Sequence, residues 1–196
     1  MRLFLALNLE PEVRRGVADA TASLRAEVPE LGWVAEGRLH LTLKFLGEQP
    51  EERVGAIRSA LDDVARRHRA FALRVGGTVG AVGVVGVVGA FPNFRRARVV
   101  WMGVSADPRL ELLHHDVEVA CEALGFALEG RAFRPHLTLA RVRERVAPDV
   151  LRRLSRAGKR VSFDAESLVQ SVDVMHSVRG ASARYERLHA APLRAS

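Results

Sequence analysis

Two short runs of this chain carry the same four letters. HLTL occupies residues 40 to 43 and again 136 to 139, in a sequence with seven histidines in all. Histidine is the side chain that gives or takes a proton near pH 7, and a threonine hydroxyl is a compact donor for an anionic oxygen. In a strand, side chains alternate between faces, so Leu41, Leu43 and Phe45 turn one way while His40, Thr42 and Lys44 turn the other. In the second copy Leu137 and Leu139 part from His136 and Thr138 in the same manner. A leucine-anchored strand thus holds an imidazole beside a hydroxyl, twice over. Two imidazoles on opposite sides of a pocket can divide the work of general base and general acid. The pair suits in-line displacement at a phosphodiester. One histidine activates the attacking oxygen, the other protonates the leaving oxygen, and the hydroxyls hold the charge that builds on the phosphoryl oxygens. That chemistry requires no metal and no other cofactor.

The remaining histidines are read as structural. His114 and His115 are adjacent on a helix and cannot share a face, so with Asp116 they do not form a metal site. His68 and His189 stand in polar, exposed contexts, and His176 alternates with Val172, Val174 and Val178 as a half-buried strand residue does. Cys121, the single cysteine, follows a helical pattern and reads as a small buried hydrophobe.

Hydrophobic periodicity supplies the elements that must position the two runs. Strands are expected over 2–9, 33–35, 39–46, 71–75, 99–104, 133–142, 161–163 and 171–178. Helices are expected over 11–28, 51–68, 108–124 and 148–157. Strand, helix, HLTL strand, helix, strand therefore occurs twice, and the two histidines lie 96 positions apart in a chain of 196 residues. An internal duplication has this form. The expected fold is α+β: one domain over residues 1–196 with two lobes related by a pseudo-twofold, each an antiparallel sheet with helices packed outside, and an active-site cleft between them. The lobes intertwine, with halves of about 1–90 and 91–196 carrying one HLTL run each.

Between the halves runs VGGTVGAVGVVGVVGAF, residues 75 to 91, with glycine at 77, 80, 83, 86 and 89. It lacks the lysine and hydroxyl residue of a phosphate-binding loop, is too short and proline-free for collagen, and holds too much glycine for a membrane span. A low-complexity strand or hairpin at the lobe junction is the reading that remains. Composition agrees with a globular chain, at 48% hydrophobic and 27% charged residues. The N-terminus meets acidic residues and a proline too early for a signal peptide, so a cytoplasmic location and no membrane contact are expected. The net charge of +7, mostly from arginine, suits a phosphate-rich partner.

Taken together, RLFLAL at 2–7, HLTLKFLG at 40–47, GAFPNFRRARVVWMGV at 89–104 and FRPHLTLARV at 133–142 resemble the two-histidine (2H) phosphoesterase superfamily. Within it they are similar to the bacterial RNA 2′,3′-cyclic phosphodiesterase family, also called 2′-5′ RNA ligase. The resemblance implies a bilobal fold, no cofactor, and opening of a 2′,3′-cyclic phosphate end of RNA to a 2′-phosphate, with 2′-5′ ligation as the reverse type of transfer. It implies His40 and His136 as the acid–base pair and Thr42 and Thr138 as phosphate ligands. Lys44, Arg134 and Arg141 are nearby cations for phosphate or RNA backbone, and Phe45, Phe133 or Trp33 are candidates to stack on a base. The partner implied is RNA with a cyclic phosphate end, tRNA fragments included, or a small 2′,3′-cyclic nucleotide, acted on by a monomer. A phosphodiesterase of another small cyclic phosphate, or a non-catalytic RNA-binding module, are the alternatives.

Overall fold

The computed structural model describes residues 1–77, 87–142, 146–178 and 184–195. In chain order these form β1 (Arg2–Asn8), α1 (Pro11–Ala20), α2 (Ala22–Glu27), β2 (Gly32–Trp33), β3 (His40–Glu48), α3 (Val54–Ala65), β4 (Phe71–Gly76) and β5 (Val88–Phe91). There follow β6 (Val99–Gly103), α4 (Pro108–Ala123), β7 (His136–Arg141), α5 (Pro148–Gly158), β8 (Asp164–Val169), β9 (Ser171–Val178) and β10 (Arg184–Pro192).

The helices start and stop for local reasons. Proline opens α1, α4 and α5, where its missing N–H is one that no helix bond would use. The Asp107 side chain caps α4 by accepting from the Arg109 N–H at 2.8 Å. The single helix expected over 11–28 divides at Thr21, whose hydroxyl donates back to the Val17 and Ala18 carbonyls. The buried face of α3 is Val54, Ile57, Leu61 and Val64, the stripe its periodicity foretold.

Seven strands run β10-β9-β1-β3-β7-β6-β5 across one antiparallel sheet, with β2 added on β7. The order is symmetric about its centre: β9-β1-β3 on one side answers β5-β6-β7 on the other. The two triplets meet between β3 and β7 at the pair Leu41 and Leu137. Helices are exchanged between the halves, since α2 packs on α5 whereas α4 packs on α3 and β3. One hydrophobic cluster runs through both halves, from Leu3 to Leu193. The expected α+β architecture of antiparallel strands with helices outside is the one observed.

Some boundaries differ from expectation. The strand expected over 133–142 begins at His136, and the one expected over 161–163 lies instead at Asp164–Val169, where β8 pairs with β4 as a separate two-stranded sheet. β10 had no alternation strong enough to announce it. Residues 78–86 of the glycine tract lie outside the described residues, but its two ends explain two of its glycines. Gly76 has φ +80°, and a Cβ there would lie 2.1 Å from the Phe163 carbonyl oxygen. Gly89 faces Trp101 across β5 and β6, and a Cβ would lie 2.1 Å from the indole. The second glycine leaves the space that the Trp101 ring fills beside the site described next.

Candidate active site

The pairing of Leu41 with Leu137 sets the geometry of the centre. In the antiparallel register that follows from it, His40 comes across from Thr138 and Thr42 from His136. Each imidazole is held in the same way, by a carbonyl two residues earlier: Nδ1 lies 2.7 Å from Arg38 O in His40 and 2.7 Å from Arg134 O in His136. A carbonyl only accepts, so Nδ1 carries the proton in both rings and Nε2 is the nitrogen left able to take one up. In His40 that Nε2 is 3.0 Å from Thr42 Oγ1, which donates to the neutral ring.

Aromatic rings box in both imidazoles. Phe4 and Tyr185 stand 5.0 and 5.3 Å from His40, centre to centre, and Phe91 and Trp101 stand 5.1 and 6.4 Å from His136. Burial pushes both histidines below the usual range; the anchoring carbonyls act against it, and the positive charge of Arg141 adds to the lowering in each. His136 lowers His40 further, so the two rings feel one another. Both are mainly neutral at pH 7 in the free protein.

A cleft of about 530 Å³ opens over this centre, walled by His40, Thr42 and Phe45 from β3, Thr138 and Arg141 from β7, Phe4 from β1 and Tyr185 from β10. Both expected histidines and both threonines lie about the Leu41–Leu137 pair, with His40, Thr42 and Thr138 in the cleft wall and His136 beside it, boxed by Phe91 and Trp101. Arg141 joins them. Arg134 contributes its carbonyl to His136, but its exposed side chain is not part of the cleft wall.

Lys44 corrects the sequence reading. The β1–β3 ladder pairs Leu5 with Lys44 and Ala6 with Thr42, so Leu43 is an extra residue, a bulge that reverses the alternation beyond it. Lys44 turns into the core, where Nζ binds Glu118 at 2.7 Å and the Ala127 carbonyl at 2.9 Å. Phe45, expected on the buried face, comes out 65% exposed into the cleft. The β6–β7 ladder repeats the irregularity at Leu139, pairing Val100 with Ala140 and Trp101 with Thr138. The fifth and sixth residues of each run thus match: Lys44 and Ala140 are buried, whereas Phe45 and Arg141 face the cleft.

Neither of the other stacking candidates serves the cleft. Phe133 is already stacked on His114 at 3.8 Å, and Trp33 donates its indole N–H to Val28 O beneath the Arg25 guanidinium. His68 is buried, not exposed, and bonds Asp116 at 2.9 Å; His189 bonds Asp62 at 2.7 Å. His176 is half-buried as expected. Tyr185, Arg38 and Phe4 are cleft residues that periodicity alone did not single out; only their distance in space to His40 marks them. Among the described residues, no three His, Cys, Asp or Glu side chains are gathered as a metal ion would need.

The 2′-5′ RNA ligase superfamily model matches residues 9–180. The RNA 2′,3′-cyclic phosphodiesterase of Thermus thermophilus is 37% identical over 157 residues, covering 76% of this chain and 72% of that protein. The protein of the same name from Escherichia coli is 32% identical over 142 residues, covering 71% of each chain. That of Geobacillus stearothermophilus is 31% identical over 145 residues, 74% of this chain, and the match spans only 43% of the relative's length. In structure, TT0787 of Thermus thermophilus superposes with a TM-score of 0.77 at 28% identity, covering 100% and 99% of the two chains. Escherichia coli LigT complexed with 3′-AMP gives 0.70 at 28% identity, covering 98% and 97%.

Proposed function

The chain belongs to the 2′-5′ RNA ligase superfamily, and from that premise we propose that it is a cytoplasmic RNA 2′,3′-cyclic phosphodiesterase that opens the cyclic end to a 2′-phosphate. The observation that carries the reading is the matched anchoring of the two histidines, each with Nδ1 on the carbonyl two residues before it, which leaves Nε2 as the nitrogen that can exchange a proton. One histidine takes a proton from water as its oxygen attacks phosphorus. The P–O3′ bond breaks, and the other histidine gives its proton to O3′. We take His40 as the acid at O3′ and His136 as the base on water; burial first, then the charge of Arg141, lowers both rings. Thr42 and Thr138 donate to the non-bridging oxygens, and Arg141 offsets the charge that gathers there. When phosphate arrives, Thr42 exchanges its bond to His40 for one to the substrate, and the anion favours the protonated ring of the acid. Replacing water by a 5′-hydroxyl gives 2′-5′ ligation by the same steps.

The test is a short RNA with a 2′,3′-cyclic phosphate end, incubated with chelator and the parent protein, His40→Ala or His136→Ala, with the product identified by chromatography. A 2′-phosphate from the parent and a loss of at least about 10²-fold in either variant is the expected result. A 3′-phosphate would mean that O2′ leaves, and abolition by chelator would sink the metal-independent mechanism.

A further inference from the structure

His40, Arg38 and Tyr185 border not only the cleft but a second cavity of about 450 Å³ that continues from it. Both volumes fall in the range of about 300–1,000 Å³ that small-ligand sites occupy. Three arginines line the second cavity: Arg14 from α1, Arg38, and Arg187 from β10. Arg14 Nε is buried with no hydrogen-bond partner among the described residues. The floor is polar. Asp173, 1% exposed, accepts from Asn8 Nδ2 at 2.5 Å and Ser171 Oγ at 2.7 Å, with Arg187 3.6 Å away. Glu10, the other acid there, accepts from the Leu168 N–H. The acids are thus engaged with donors of the fold, whereas a guanidinium of Arg14 retains donors to offer.

Guanidinium forks suit a phosphodiester, and Gln170, which also lines the cavity, carries an amide that can pair with a sugar hydroxyl or a base. The cavity therefore holds the complement of a nucleotide, next to a cleft read as holding a cyclic phosphate. A 2′,3′-cyclic phosphate is a 3′ end, so the chain can continue from it only in the 5′ direction. Resting on the function proposed above, we infer that the second cavity is a subsite for the nucleotide 5′ of the reacting one, with Arg14 and Arg187 holding the phosphodiester between them. The enzyme then distinguishes an RNA end from a free cyclic mononucleotide.

Binding decides this without turnover. A dinucleotide ending in a 2′-phosphate and a nucleoside 2′-monophosphate are titrated calorimetrically into the parent, Arg14→Met and Arg187→Met, each checked for folding by its melting temperature. The dinucleotide is expected to bind the parent at least tenfold more tightly, and each substitution to cut that ratio at least threefold. Arg187, 58% exposed, carries the test if Arg14→Met does not fold. Equal affinity of the parent for both ligands, or a ratio unmoved by the substitutions, overturns the subsite. The ratio of kcat/KM for the matching cyclic-ended substrates should fall in parallel. Absence of turnover on both substrates would overturn the proposed reaction, with the binding ratio still deciding the subsite.

Discussion

Arg141 is the charge that both histidines feel. Because burial and this guanidinium hold both imidazoles below their usual range, the two limbs of the kcat/KM profile should lie on the acid side, with an optimum below about pH 6.5. Arg141→Met removes one cause of lowering from each ring, so both limbs should move to higher pH while kcat falls by about 10²-fold, the loss typical of a missing transition-state donor. Limbs that stay where they are would show that the rings do not sense Arg141. The sequence made His40, Thr42, His136 and Thr138 legible because alternation holds from the histidine to the threonine. It misled at Lys44 and Phe45, since the bulge at Leu43 exchanges the faces of these two residues and no local feature of HLTLKF announces it. Arg141 was found by proximity, though strict alternation from His136 would have turned it away from the cleft.

At the scale of elements, Lys44 ties β3 to α4. Nζ meets both Glu118 oxygens and the Ala127 carbonyl, while the Glu118 carboxylate also accepts from the Glu129 N–H, so one buried pair fixes a helix and the segment leading toward β7. Burial alone would raise the Glu118 carboxyl, but the bonds from Lys44 and Glu129 outweigh it and hold it below its usual range. Glu118→Ala leaves a lysine charge buried and is expected to destabilise the fold by about 3–5 kcal/mol in denaturant unfolding. Adding Lys44→Met to it should recover most of that loss, since the cost lies in the unpaired charge; a double variant as unstable as the single would refute this. Helix stripes and the central strands were readable from periodicity. β8 and β10 were not, because β10 alternates weakly and β8 depends on its pairing with β4, a contact distant in sequence.

Across the whole molecule, the excess of +7 predicts a salt dependence that grows with RNA length. For a cyclic-ended octanucleotide, log(kcat/KM) against log salt should slope more steeply than about −1.4, the value for two phosphates, while a cyclic mononucleotide stays near about −0.7. Equal slopes would mean that the basic surface takes no part. The duplication could be read from two equal runs in equal places, but the exchange of helices and the meeting of β3 with β7 depend on packing that no single stretch encodes. The match between the halves is also incomplete in one telling place. Phe45 and Arg141 occupy equivalent positions, yet one is an apolar ring and the other a cation. Two identical half-sites would accept a phosphodiester equally well in either orientation, and half of all encounters would present the wrong oxygen to the acid. With a cation at one end and an aromatic surface at the other, the cleft has a polarity, and the substrate's phosphate and base can read which way to lie.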